Sequence, residues 1–291
     1  MQFLTGQMMP LALTLSIQIF AVSSMLMVGL RYTIGDLARP LRDIRGVVIA
    51  LATNFVLVPL LALLLLRLIP LDPDFSTGLV IVASAGGAPL IVKLVMNAGE
   101  DVGFAASQIV LLLAGTILAM PIILPLVSEA ARISAWAIAR PLIVTMILPL
   151  AAGFILRPVV PGLAARAVPV LGTILVTALW IMVGLSLFLN RHAVLNIFGE
   201  GAIFVSLLFI GLAFGLGYIA GSFDKAERIV FGFGAAQRNF AAAMVVATQA
   251  FEEPGVVVMV VVLSIVAMLL IPFSTWLGRR KSRGEGHSIP S

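Results

Sequence analysis

The stretch FGFGAAQRNFAAA, residues 231–243, decides how the rest of the chain is read, because it sets Arg238, flanked by Gln237 and Asn239, inside an apolar run. An arginine at membrane depth costs from about 3 to more than 10 kcal/mol depending on the reference state, so by default it marks function. Gly232 and Gly234 precede it and are read as a helix break. A second stretch far upstream, SAGGAPLIVK at residues 84–93, is also interrupted by glycine and proline and also carries one cation, Lys93. Paired interrupted segments in two halves of a chain point to the binding site of a secondary transporter.

Composition sets the class. Hydrophobic residues make up 61% of the chain and charged residues 11%, whereas soluble domains carry roughly a quarter charged residues. The expected fold is therefore an all-α polytopic membrane protein. The net charge is +5, but the basic residues fall in short gaps between apolar runs. There they orient a protein in the bilayer rather than bind nucleic acid. No cysteine is present, which removes disulfides, thiolate metal sites and a cysteine nucleophile. No metal site and no cofactor is expected. A membrane enzyme is disfavoured as well, since the chain has no His-Glu zinc motif, no GxSxG elbow and no pair of intramembrane carboxylates.

A helix needs about 20 apolar residues to cross the hydrocarbon. Nine stretches meet that requirement: residues 10–30, 46–66, 78–96, 102–127, 135–156, 168–189, 197–220, 229–248 and 256–277. The first is read as a retained helix rather than a leader. Lys and Arg cluster in alternate gaps, at Arg31, Arg39, Arg42 and Arg45, at Arg157 and Arg166, at Lys225 and Arg228, and in the tail at Arg279, Arg280, Lys281 and Arg283. The positive-inside bias then places the N-terminus outside and the C-terminus in the cytoplasm of a cell inner membrane. The two interrupted spans are third and eighth, so they cross in opposite directions. Residues 8–129 and 167–277 are accordingly read as inverted repeats around an extra helix near 135–157, in one transport domain covering 1–291.

If both interrupted spans break near the midplane, each yields a half-helix whose free N–H groups and dipole favour an anion. The candidate substrate site is Arg238, Lys93, Gln237, Asn239, Gly87, Ala88, Ser84 and Gly234, with Gln108 and Asn54 as secondary contacts. Each has a structural alternative. Glycines also serve close helix packing. Lys93 would otherwise snorkel, or pair with Glu100 or Asp101. Arg238 would otherwise bond the backbone carbonyls that a break leaves free, while Gln108, Asn54 and Thr116 would serve as interhelical hydrogen bonds.

At these residues the chain resembles the bile acid:sodium symporter family, part of a superfamily of two inverted repeats whose broken helices cross. The run KAERIVFGFGAAQRNFAAAM, residues 225–244, is similar to the family's second broken helix with its preceding loop. SAGGAPLIVKLVMNAGEDVGFAAS, residues 84–107, is similar to the first. The resemblance implies a core bundle that moves against a panel, an organic anion as substrate, and a likeness to members lacking the first helix. It also implies sodium sites held by a Ser-Asn pair in the first motif and by Glu and Gln in the second. Those positions here are Leu90, Ile91, Gly232 and Ala236. All 13 acidic residues fall in loops or near span ends, Glu200 deepest.

The expectation is a sodium-independent carrier of a small or amphipathic organic anion, with the lipid bilayer as its other partner. Arg238, at the family's serine position, would anchor the anion and help brace the crossover. Lys93, if buried, would release and rebind a proton, making a proton or no ion at all the coupling partner in place of sodium. Sodium coupling through backbone carbonyls is the nearest rival, and a membrane-embedded sensor or scaffold is a rival of another class.

Overall fold

A computed structural model describes residues 2–33, 35, 43–100, 102–127, 134–199, 201–221 and 225–285, and among them every regular element is helical. In order these are α1 (Gln2–Arg31), α2 (Ile44–Leu68), α3 (Pro73–Ser84), α4 (Ile91–Asn97), α5 (Val102–Val127) and α6 (Ala135–Val159). There follow α7 (Pro161–Leu189), α8 (Arg191–Gly199), α9 (Ala202–Ala220), α10 (Lys225–Ala236), α11 (Phe240–Gln249), α12 (Pro254–Ala267) and α13 (Leu270–Glu285). Arg39, Arg42, Asp101, Glu200 and His287 lie outside the described residues.

Among the described residues, eight helical runs are long and apolar enough to cross a membrane. The expected run at 78–96 is not among them, because residues 85–90 leave the helix and divide it into α3 and α4. The expected break in the later span is displaced. Helix α10 continues through Gly232 and Gly234 to Ala236, and the chain leaves the helix only at residues 237–239. Gly232 instead admits the Phe214 ring, and Gly217 on α9 lets that helix lie against the Phe231 backbone. Both glycines therefore serve packing. The span expected from 197 starts at Ala202, because Gly201 adopts φ 73 and separates α9 from the short α8.

Prolines shape two of the long helices. Pro59 and Pro149 each follow a π turn, Thr53–Leu57 in α2 and Ile143–Ile147 in α6. A proline lacks the N–H and its ring would collide with the carbonyl four residues back, so the helix widens just before it.

Helices α1, α6 and α7 pack on one another as one group, and α2 to α5 with α9 to α13 form the other. The groups meet through α1 and α11, through the first turns of α6 on α5 and α11, and through α7 on α12. At the end of the bundle where Lys281 pairs with Glu100 at 3.0 Å, the half-helices α4 and α10 pack on each other and on α5, and α4 packs on the C-terminal helix α13. None of α4, α10 and α13 makes a comparable contact with α1, α6 or α7. Among the described residues the two groups thus touch toward the end carrying Asp74 and Gly255 and make no comparable contact at the end carrying Lys281.

Candidate functional site

Helix α3 stops because the segment after it cannot continue a helix. Gly87 adopts φ 79, and a Cβ there would stand 2.5 Å from the Leu113 backbone nitrogen, so only glycine fits. Pro89 follows two residues later. In the later span Asn239 opens α11, its Oδ1 accepting from the Ala242 N–H at 3.1 Å. The two interruptions touch, the Asn239 N–H donating to the Ala85 carbonyl at 2.9 Å.

Arg238 lies in the second interruption with its side chain at 0% exposure. Its Nε donates to the Val82 carbonyl at 3.2 Å. Nη1 donates to Asn54 Oδ1 at 2.7 Å and to the Ala235 carbonyl at 3.2 Å. Nη2 donates to the Ala83 carbonyl at 2.6 Å and to the Asn54 carbonyl at 3.3 Å. A guanidinium has five N–H donors, and all are engaged by protein oxygens. Asn54 is held in turn by its Nδ2 donating to the Ala50 carbonyl at 3.0 Å. Thr116 Oγ1 donates to the Gly86 carbonyl at 2.7 Å, tying α5 to the first interruption.

The electrostatics are those of helix ends. Val82 and Ala83 belong to the last turn of α3, and Ala235 to the last turn of α10. Each helix C-terminus carries about half a negative charge, so two meeting ends oppose about one unit. Arg238 supplies that unit. Among the described residues it is the one charged side chain in the fully buried set, and no carboxylate joins it there.

The remaining expected residues fall in two places. Ser84 turns its hydroxyl back to the Val80 carbonyl at 2.8 Å, and Ala88 is buried beside Gly87. Gly234 lies beneath the Gln108 carboxamide, where a Cβ would come within 2.6 Å of Oε1. Both polar atoms of Gln108, Oε1 of Gln237 and Nδ2 of Asn239 are buried without a protein partner. These carboxamide atoms, rather than the guanidinium, are what the crossover has left to offer a ligand or water. Lys93 is not brought to Arg238. It is exposed on α4, whose Ile91, Val92, Leu94 and Val95 are buried. Glu100, one of its two expected partners, pairs with Lys281 instead, and burial of Lys93 does not occur. Where the resemblance implies sodium ligands, Ile91 and Ala236 are fully buried among apolar neighbours and Gly232 faces a phenylalanine ring.

Asn54, expected as a secondary contact, accepts from Arg238 through both its side-chain and backbone oxygens. The signal that marks it is local, a polar pair Thr53-Asn54 six and five residues before Pro59, where a π turn turns side chains off the regular helical stripe.

A family profile described as the Sodium Bile acid symporter family matches residues 18–197. The match takes in the first motif and stops short of residues 225–244, where Arg238 stands. A protein of Arabidopsis thaliana described as "Probable sodium/metabolite cotransporter BASS3, chloroplastic" is 24% identical over 199 residues, 67% of this chain and 45% of that protein. The chain therefore spans somewhat less than half the length of the curated relative it matches.

Proposed function

The chain belongs to the Sodium Bile acid symporter family, and from that premise we propose that it is a secondary carrier of a small or amphipathic organic anion that works without sodium. The observation that carries this reading is the crossover. Arg238 fills the meeting point of two helix C-termini with a positive charge that is covalently attached. In this reading it does the bracing that the family resemblance gives to sodium, and its five satisfied donors assign it to holding the fold instead of gripping the anion. Lys93 then takes the anion's charge, being exposed on the half-helix that starts one interruption away. The unpartnered carboxamides of Gln108, Gln237 and Asn239 take its neutral polar groups.

Transport follows from the two helix groups. The halves 8–129 and 167–277 are inverted repeats in one domain, and the larger group moves as a core against the panel of α1, α6 and α7. In this reading the end without those contacts is the cytoplasmic one, from the lysine and arginine bias, which makes this arrangement the inward-facing form in a bacterial inner membrane with the N-terminus outside. With Lys93 exposed and no carboxylate in the fully buried set, no coupling ion is favoured over a proton.

A second reading, sodium-coupled symport, is supported by the printed description of the Arabidopsis relative as a sodium/metabolite cotransporter. Counterflow in proteoliposomes tests the carrier itself. Protein preloaded on one side with an unlabelled organic carboxylate is expected to accumulate the labelled form transiently. Binding without counterflow would make the protein a sensor or scaffold.

A further inference from the structure

Helices α2 and α9 diverge toward the end of the bundle that carries Arg45. Helix α9 packs on α2 from the π turn onward and makes no comparable contact with the first turns, Ile44–Ala52. The wedge between them is an open groove of about 680 Å³. Among the described residues its walls are largely apolar, with Val48, Ile49, Ala52 and Leu57 from α2 and Ala220 from α9, and the charged one lining it is Arg45. The other face of α2 differs. Asp43 folds over Gly46 and, with Val47 and Ala50, faces α5 and Gln108. The acidic group is thus turned away from the groove and the basic group into it.

We propose that this groove is a site for an anionic phospholipid, with an acyl chain lying along the wedge and the headgroup phosphate at Arg45. A groove lined mostly by aliphatic side chains suits a hydrocarbon chain better than a polar solute. Arg45 stands where the first turn of a membrane-spanning helix meets the headgroup layer, and basic residues there attract anionic lipid. The occupant bears on the crossover through one turn of helix. Thr53 and Leu57, the ends of the π turn, line the groove, and Asn54 within that turn accepts from Arg238. A lipid in the groove holds the π turn from outside while Arg238 holds it from inside. This inference stands apart from the transport reading and survives its failure.

The test uses the full chain purified in mild detergent, titrated with phosphatidylglycerol or with phosphatidylcholine of identical chains. Retained lipid is read by native mass spectrometry and stability by thermal unfolding. The expected result is preferential retention of phosphatidylglycerol and a rise in unfolding temperature that phosphatidylcholine does not reproduce. Arg45→Gln abolishes the preference, and Ala52→Phe, which fills the wedge, lowers retention of both lipids. Should Ala52→Phe fail to fold, Ala220→Phe fills the groove from the opposite wall. Equal retention of the two lipids by the unaltered protein overturns the proposal, as does a preference that survives Arg45→Gln.

Discussion

Arg238 Nη1 donates to Asn54 Oδ1 over 2.7 Å, joining the interruption of the later span to the π turn of α2 across 184 residues of sequence. Removing the guanidinium takes the donor from the buried Ala83, Asn54 and Ala235 carbonyls and from Asn54 Oδ1, while the Val82 carbonyl keeps the Ala85 N–H. Each buried acceptor left without a donor costs about 1–3 kcal/mol. Arg238→Ala is therefore expected to unfold at a much lower temperature in detergent. Asn54→Ala, which removes one acceptor, is expected to lose about 1–3 kcal/mol. Arg238→Lys should fall between the wild type and Arg238→Ala, because three donors on a flexible stem cannot serve five acceptors. An Arg238→Ala protein as stable as the wild type would remove the bracing role.

Two glycines make a matched pair for the backbone argument. Gly87→Ala puts a Cβ at positive φ and against the Leu113 backbone, with the left-handed conformation alone costing about 1–2 kcal/mol. Gly211 sits mid-helix with nothing within 4 Å of a would-be Cβ, so Gly211→Ala is expected to be neutral or to gain up to about 1 kcal/mol. Unfolding temperatures that move the same way for both substitutions would contradict this assignment.

Asp74 predicts a pH dependence. It lies outside the long spans, where α3 begins, and its carboxyl is pushed above the ordinary value by burial first, then by Asp72 and Glu253, against a hydrogen bond from the Gly255 backbone. A raised carboxyl binds more proton folded than unfolded. Its contribution to stability is therefore full below the unfolded value of 3.8 and is lost as pH rises through the folded one. Asp74→Asn should be more stable than the wild type at neutral pH, with the advantage shrinking as pH falls toward that value. An advantage that grows on acidification would reverse the sign.

Lys93 separates binding from folding. Because it is exposed, Lys93→Gln is expected to change stability by no more than about 0.5 kcal/mol while weakening anion uptake, and Lys93→Arg should keep most of the uptake. Uptake unchanged in Lys93→Gln would leave the carboxamides as the anion's main contact.

The class of the fold is open to view in the sequence because it follows from composition, and α5 coincides with the apolar run at 102–127. The first interruption is equally readable, since Gly-Gly-Ala-Pro admits the positive φ and withholds an N–H. The second is not where the glycines suggest, because Gly232 and Gly234 are there to let Phe214 and Gln108 come close. Asn239 ahead of an alanine-rich run was the better sign, being a helix N-cap. What no local pattern discloses is the partner of Arg238. Its acceptors come from α2, α3 and α10, and only the crossing of the spans brings them together. The exposure of Lys93 has a periodic reason: its neighbours on either side, Val92 and Leu94, are buried while position 93 faces out.

The central claim is that a fixed arginine stands where a sodium ion would otherwise brace the crossover. The most direct measurement is thermal stabilisation of the purified protein by a panel of organic carboxylates and sulfonates, each in sodium and in choline. The account predicts that any anion that stabilises the protein does so to the same extent in either salt, and less in Lys93→Gln. Stabilisation that appears only in sodium would contradict it and make the carrier a sodium symporter with ligands other than the four replaced positions.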